Sequence, residues 1–375
     1  MHIYSTPGFF ASLRMTFVVC VQCFLLFQQE SDLTGRLKTF TVLFALLLAA
    51  SACSGRPESY SKTRVIMGTY VTITAERGDL PEILTRAAVF DAFAEIERVD
   101  RLMSTYKQDS QLSEINRQAG IRPVKVDPEV MQAVKDALEV SRMTAGGFDP
   151  TVGPLVRLWG IGHEGARVPA PDEIKKALAV VNYKDVAVDA GASTVYLTRK
   201  GMYLDLGGSA KGYASDRAVD VLKSKGIKGG IVAVAGDVRL FGSRSDSRPW
   251  GVGIQHPRDK GGLLAKLELT DAAVSTSGDY ERFFIKDHTR YHHIFDPSTG
   301  YPAKGLMSLT VVAKEASLAD PLTTGLFVLG PDKAYAFANA HPEFSVLMVT
   351  SKGEILKTGL FKSIRIDGPI TPTQD

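Results

Sequence analysis

The chain has 375 residues, 45% of them apolar and 23% charged. That is the make-up of a folded protein with one large core or two smaller ones, and it excludes a disordered chain. Lys and Arg number 44 against 41 Asp and Glu, a net charge of +3, which excludes a strongly basic nucleic-acid-coating protein. All cysteines, Cys20, Cys23 and Cys53, precede the body, so no disulfide, cysteine-based zinc site or thiol nucleophile is available there.

Residues 1–52 read as a leader. Residues 16–27 and 39–52 are apolar runs, each shorter than the roughly 20 residues that span a bilayer as a helix. The second follows Arg36 and Lys38 and ends Ala50-Ser51-Ala52-Cys53. A basic start, an apolar stretch and small residues before a cleavage point are the layout of a signal peptide. A cysteine directly after small residues resembles a bacterial lipobox, with Ala50 where Leu is usual, so Cys53 is the expected lipidation site. A plain secretory signal is the alternative. Because residues 36–53 form a complete signal, the first 33 are read as an over-extended start. The Cys20-x-x-Cys23 pair sits in an apolar setting that argues against a redox role. The implied address is the periplasmic side of a bacterial inner membrane, held there by lipid.

Residues 53–63 read as the lipidated cysteine and a polar tether, 64–362 as one catalytic domain and 363–375 as a tail. Alternation over 65–75 predicts a strand. Phe90, Phe93, Ile96, Val99 and Met103 recur at helical spacing within 82–104, and a second helix is expected over 128–143. The Pro169–Pro171 turn and Asp172 open a helix to about 181. Strands are predicted over 186–198 and 202–206 as a pair, then a helix over 209–225 and a buried strand over 231–235. Further strands are expected at 251–255, 263–269, 282–286, 308–313 and 345–350, with helices at 320–329 and 331–340. This interleaving lacks a regular βαβ rhythm and indicates α+β architecture in a single compact unit.

Two patterns mislead. Gly160-Ile161-Gly162-His163-Glu164-Gly165 fits GxGxxG, but Arg167-Val168-Pro169-Ala170-Pro171 follows where a dinucleotide-binding helix would have to open. His288, His292 and His293 form an HxxxHH cluster whose flanks read as strand and turn, not as a zinc helix.

Three stretches carry chemistry. In Asp205–Asp216 (DLGGSAKGYASD) a strand ends, two glycines allow close backbone approach, and a helix opens near Ser209 with free N–H groups that favour an anion. Lys211 in the first turn is at the end of the helix a solvated lysine would avoid; it either faces a phosphate, pairs with an acid or is a surface lysine. In Ala319-Asp320-Pro321-Leu322-Thr323-Thr324-Gly325, Asp320 and Thr324 share a helix face. As a carboxylate and a hydroxyl they suit Mg²⁺ together with backbone carbonyls and a substrate phosphate, or else serve as a cap and a buried hydroxyl. Ser275-Thr276-Ser277-Gly278-Asp279-Tyr280 and His292-His293-Ile294-Phe295-Asp296-Pro297 look like a ligand-binding rim, with Thr276 and Ser277 as candidate contacts and His293 as a candidate base.

Taken together these stretches resemble the ApbE family of flavin transferases. The resemblance covers roughly residues 64–360. Its ordered pieces also include Met67-Gly68-Thr69, Met103-Ser104-Thr105-Tyr106, Ser113-Glu114-Ile115-Asn116, Gly146–Leu155 (GGFDPTVGPL) and Ala235-Gly236-Asp237. It implies an α+β, T-fold-like mixed sheet with flanking helices. It also implies an enzyme that cleaves FAD with Mg²⁺ and transfers FMN to a threonine hydroxyl of a target flavoprotein, such as a membrane redox-pump subunit, releasing AMP. By that resemblance Met67, Tyr106, Gly147, Phe148, Asp149, Asp205, Lys211 and Ile294 contact FAD. Gly208, through its carbonyl, with Asp320 and Thr324, holds Mg²⁺. Lys211 neutralises phosphate charge, and His293 takes the threonine proton.

The sequence departs from the family pattern at Ala233 and Ala235, where Asn and Gly are common, and at Pro321, which suits the first turn of a helix. The same site could serve an FAD pyrophosphatase yielding FMN and AMP. A non-catalytic FAD-binding lipoprotein is a third reading, against which the intact Lys211, His293, Asp320 and Thr324 speak.

Overall fold

The computed structural model describes residues 58–368 and 370. The expected leader with Cys20, Cys23 and Cys53 lies outside the described residues. The strands are β1 (Ser59–Ile66), β2 (Thr69–Glu76), β3 (Val124–Lys125), β4 (Val186–Asp189), β5 (Thr194–Leu197), β6 (Gly230–Val234), β7 (Asp237–Phe241), β8 (Trp250–Gln255), β9 (Leu263–Leu269), β10 (Ala273–Gly278), β11 (Phe283–Lys286), β12 (Thr289–His292), β13 (Leu306–Ala313), β14 (Ser345–Thr350) and β15 (Ile355–Lys357). The α-helices are α1 (Glu82–Met103), α2 (Gln111–Arg117), α3 (Pro128–Met143), α4 (Gly153–Trp159), α5 (Pro171–Leu178), α6 (Ala210–Ser224) and α7 (Ala316–Ala340).

The main sheet runs β1-β2-β6-β7-β10-β13-β14-β15, each neighbouring pair antiparallel. Its period-two alternation feeds two cores. Val232, Val234, Leu309 and Val311 join α1, α6 and α7 on one face. Ile231, Met307 and Val312 join the β8–β9 hairpin on the other, where Ile364, Ile366 and Ile370 also pack. Every residue of β13 is buried; truncating Leu309 there to Ala would cost about 2–5 kcal/mol.

Several expected elements differ. The single strand over 65–75 is a hairpin, because Met67 and Gly68 both adopt left-handed φ, 54° and 68°, as a two-residue hairpin turn demands. Its first strand begins at Ser59, inside the stretch read as tether. The pair expected over 186–198 and 202–206 is instead the β4–β5 hairpin within 186–197, folded at Asp189, whose carboxylate accepts from the Gly191 and Ala192 N–H groups. Residues 202–206 join by a bridge of Tyr203 to Val152 and by Asn116, whose amide both donates to and accepts from Leu204. α7 starts at Ala316, so Pro321 sits beyond the first turn. It breaks at Gly330, φ 76°, which divides it as the two expected helices were divided.

Candidate active site

The site forms where the N-terminal turns of α6 and α7 meet the ends of β7 and β10. α7 starts here because Asp216 of α6 caps it, accepting from Ala316 N at 3.1 Å and Ser317 N at 2.8 Å. Arg239 Nε holds the same carboxylate at 2.8 Å. A buried helix start needs such acceptors for its free N–H groups.

Asp320 then reaches back to α6. Its Oδ2 accepts from Gly212 N at 3.0 Å, and Lys211 Nζ lies 2.9 Å from Oδ1 and 3.1 Å from Oδ2. The anion at the start of α6 is thus the chain's own carboxylate. Lys211 Nζ also lies 2.8 Å from Asp237 Oδ2, and Asp237 accepts from the Ser275 hydroxyl. Of the readings open for Lys211, the structure shows pairing with acids.

The electrostatics follow from burial. Burial disfavours the Lys211 charge, yet the two carboxylates outweigh that and raise its pKa. Burial first, and the Asp237 charge second, push the Asp320 pKa above the usual carboxylate range against the pull of Lys211. Two carboxylates against one ammonium leave the cluster with one net negative charge. Ser277 Oγ donates to Thr323 Oγ1 at 3.0 Å and lies 3.4 Å from Thr324 Oγ1. A Cβ on Gly208 would stand 3.2 Å from Phe148 Cε2 and 3.7 Å from Thr324 Oγ1. Carboxylate, hydroxyl and backbone carbonyl are hard oxygen donors beside a net negative charge, so Asp320, Thr324 and Gly208 fit Mg²⁺.

Gly147 and Phe148 are brought in by close packing: a Cβ on Gly325 would fall 3.0 Å from Phe148 Cβ, and one on Gly147 would fall 2.6 Å from the Gly325 carbonyl. Asp149 is buried, with Oδ1 taken by Thr151 N and Oγ1 at 2.8 and 2.6 Å and Oδ2 by Tyr183 N at 2.9 Å. Its carboxylate therefore braces the loop. Asp205 accepts from Gly207 N at 2.7 Å, and burial raises its pKa. The Tyr106 side chain is exposed. The Tyr106 hydroxyl lies 3.3 Å from His163 Nε2, so the GxGxxG stretch is a turn that contributes an aromatic neighbour.

His293 follows β12, its backbone N–H donating to the Arg282 carbonyl at 3.1 Å. Burial, then His292 and Arg282, lower its pKa to about 4. Ile294 is buried in the helix-side core. Met67 lies in the turn of the β1–β2 hairpin. Thr276 is not brought to the cluster: its hydroxyl pairs with Thr310 Oγ1 at 2.9 Å across β10 and β13, while Ser275 and Ser277 reach Asp237 and Thr323. Asp237 is a further residue of the site, beyond those expected from the sequence. Its signal was an acid placed directly after the Ala235-Gly236 turn between two apolar strands.

The chain belongs to the ApbE family, whose model matches residues 67–348. It is 35% identical over 327 residues to the FAD:protein FMN transferase of Treponema pallidum, covering 82% of this chain and 90% of the relative. It is 33% identical over 326 residues to the FAD:protein FMN transferase of Vibrio cholerae, covering 86% and 96%. Among solved structures, the ApbE protein of Thermotoga maritima superposes with a TM-score of 0.76 at 36% identity, covering 81% of this chain and 98% of that one. The flavin transferase ApbE of Vibrio cholerae superposes with a TM-score of 0.74 at 32% identity, covering 82% and 99%. The α+β, single-unit architecture expected from the sequence is that of these proteins.

Proposed function

We propose that the protein is an FAD:protein FMN transferase that moves FMN from FAD to a threonine hydroxyl of a target flavoprotein. The observation that carries the reading is the buried Asp237–Lys211–Asp320 cluster, set at a helix N-terminus beside Thr324 and Gly208. The threonine oxygen forms an ester bond to the FMN-side phosphorus. The bond from that phosphorus to the bridging oxygen breaks, and AMP leaves with its electron pair. His293 receives the hydroxyl proton, which its lowered pKa allows because the ring is neutral at pH 7. Asp237 and Asp320 hold the Lys211 ammonium against the first turn of α6, from where it would face the pyrophosphate of bound FAD. Asp320, Thr324 and the Gly208 carbonyl would hold Mg²⁺, which when bound would supply positive charge to the pyrophosphate. Tyr106 offers an aromatic face to a flavin or adenine ring.

The family resemblance and the relatives' printed activity support FAD as the substrate. The leader's layout supports a lipid anchor at Cys53 and a periplasmic address at the inner membrane, where a membrane redox-pump subunit is a fitting acceptor. The test is FAD turnover by wild type and Asp320→Ala, with and without MgCl₂. Wild type should release AMP only with MgCl₂, and with MgCl₂ the variant should be slowed at least a hundredfold. Equal turnover by the two proteins would refute the assignment.

A further inference from the structure

The hairpin that delivers His293 is tied down by a device outside the acidic cluster. β11 and β12 pair from Phe283 opposite His292 to Lys286 opposite Thr289, so Arg282 and His293 meet at its open end. His293 Nδ1 lies 3.3 Å from the Arg282 carbonyl, which also accepts from His293 N at 3.1 Å. A carbonyl only accepts, so the ring proton on this contact is on Nδ1 and the Nε2 lone pair is left free. One backbone oxygen thus fixes both the place of the imidazole and the nitrogen able to take a proton.

Arg282 is in turn fixed from upstream. Asp279 is buried, its N–H donates to the Met307 carbonyl at 2.9 Å, and its two carboxylate oxygens accept from Arg258 Nη1 and Nη2, both at 2.7 Å. A two-pronged guanidinium–carboxylate contact sets orientation as well as distance. Between the two, the Tyr280 ring closes over Gly278, where a Cβ would fall 2.5 Å from it. Arg258 is itself set by a tight turn after β8: buried His256 accepts at Nδ1 from the N–H groups of Arg258 at 3.2 Å and Asp259 at 2.9 Å. The other side of the hairpin base is tied by His292 Nε2, 2.8 Å from the Ala303 carbonyl.

We infer that Arg258 is a positioning residue for transfer: through its fork to Asp279 it holds residues 279–282, and with them the carbonyl that orients His293. This rests on the reading of His293 as the base. Displacement of a reacting group by about 1 Å can cost a hundredfold in rate without touching binding.

The test uses the full chain with FAD, MgCl₂ and an acceptor flavoprotein domain. Transfer is followed by intact mass and FAD affinity by flavin fluorescence. Arg258→Met should slow transfer at saturating FAD by at least tenfold, with the FAD Kd unchanged within twofold. Arg258→Lys should recover part of the loss, and Asp279→Asn should reproduce it. In a His293→Ala background Arg258→Met should have no further effect. An unchanged rate in Arg258→Met, or the same loss in the His293→Ala background as in wild type, would overturn the inference. Wild-type transfer by His293→Ala alone would instead remove the base reading, and the inference with it.

Discussion

Gly212 N donates to Asp320 Oδ2 at 3.0 Å, so a carboxylate from α7 closes the first turn of α6. The approach has no room for a side chain: a Cβ on Gly212 would stand 2.1 Å from the Ala316 carbonyl oxygen and 2.8 Å from Asp320 Cβ. Gly212→Ala should therefore push the two helices apart and destabilise the protein by about 1–3 kcal/mol, the cost of overpacking. Transfer activity should fall at least tenfold. Denaturant titration and an activity assay check both; a variant of wild-type stability and rate would show that the contact is slack.

Asp320 gathers burial and a like charge, both of which oppose its ionised form. MgCl₂ without FAD should raise the Tm of the wild-type protein and leave that of Asp320→Asn unchanged, since a ligand that binds only the folded state stabilises it. Thermal unfolding with and without MgCl₂ reads this directly. An equal rise in both proteins would place the metal elsewhere.

The His293 ring has a pKa lowered from 6.5 to about 4. Between those values the unfolded chain binds a proton that the folded one does not, so this group's contribution to stability rises with pH across that window and is lost on acidification. His293→Gln should flatten the part of the stability–pH curve between about pH 4 and 6.5. Urea unfolding at half-unit pH steps checks this, and curves of identical slope would contradict the neutral ring.

Ala235 turns the β6–β7 hairpin with φ 52°, a conformation that costs a non-glycine residue about 1 kcal/mol. Ala235→Gly should stabilise the protein by up to about 1 kcal/mol without loss of activity. A lower midpoint in urea would show that the methyl group contributes packing that outweighs the strain.

Much of this was legible in the sequence, for physical reasons. α1, α3 and α6 carry apolar residues at helical spacing, and Asp320 and Thr324 reveal a shared face by their separation alone. The hairpin at Met67-Gly68 was hidden because the strands on both sides alternate in the same way, and only the left-handed turn separates them. β7 and β10 show no strand pattern because their polar residues, the buried Asp237, Arg239 and Ser275 and the half-buried Ser277, are satisfied by partners distant in sequence. Asp237 meets Lys211 only through that pairing. The fork from Arg258 to Asp279 joins two loops that carry no shared pattern.

The most direct test of the central claim is intact-mass analysis of an acceptor flavoprotein domain incubated with the protein, FAD and MgCl₂, beside the same domain with its acceptor threonine changed to valine. The account expects one FMN on the threonine domain, one AMP released for each adduct, and no adduct on the valine domain. FMN and AMP set free at equal rates with either domain, and no adduct on the threonine, would contradict it and make the protein an FAD pyrophosphatase.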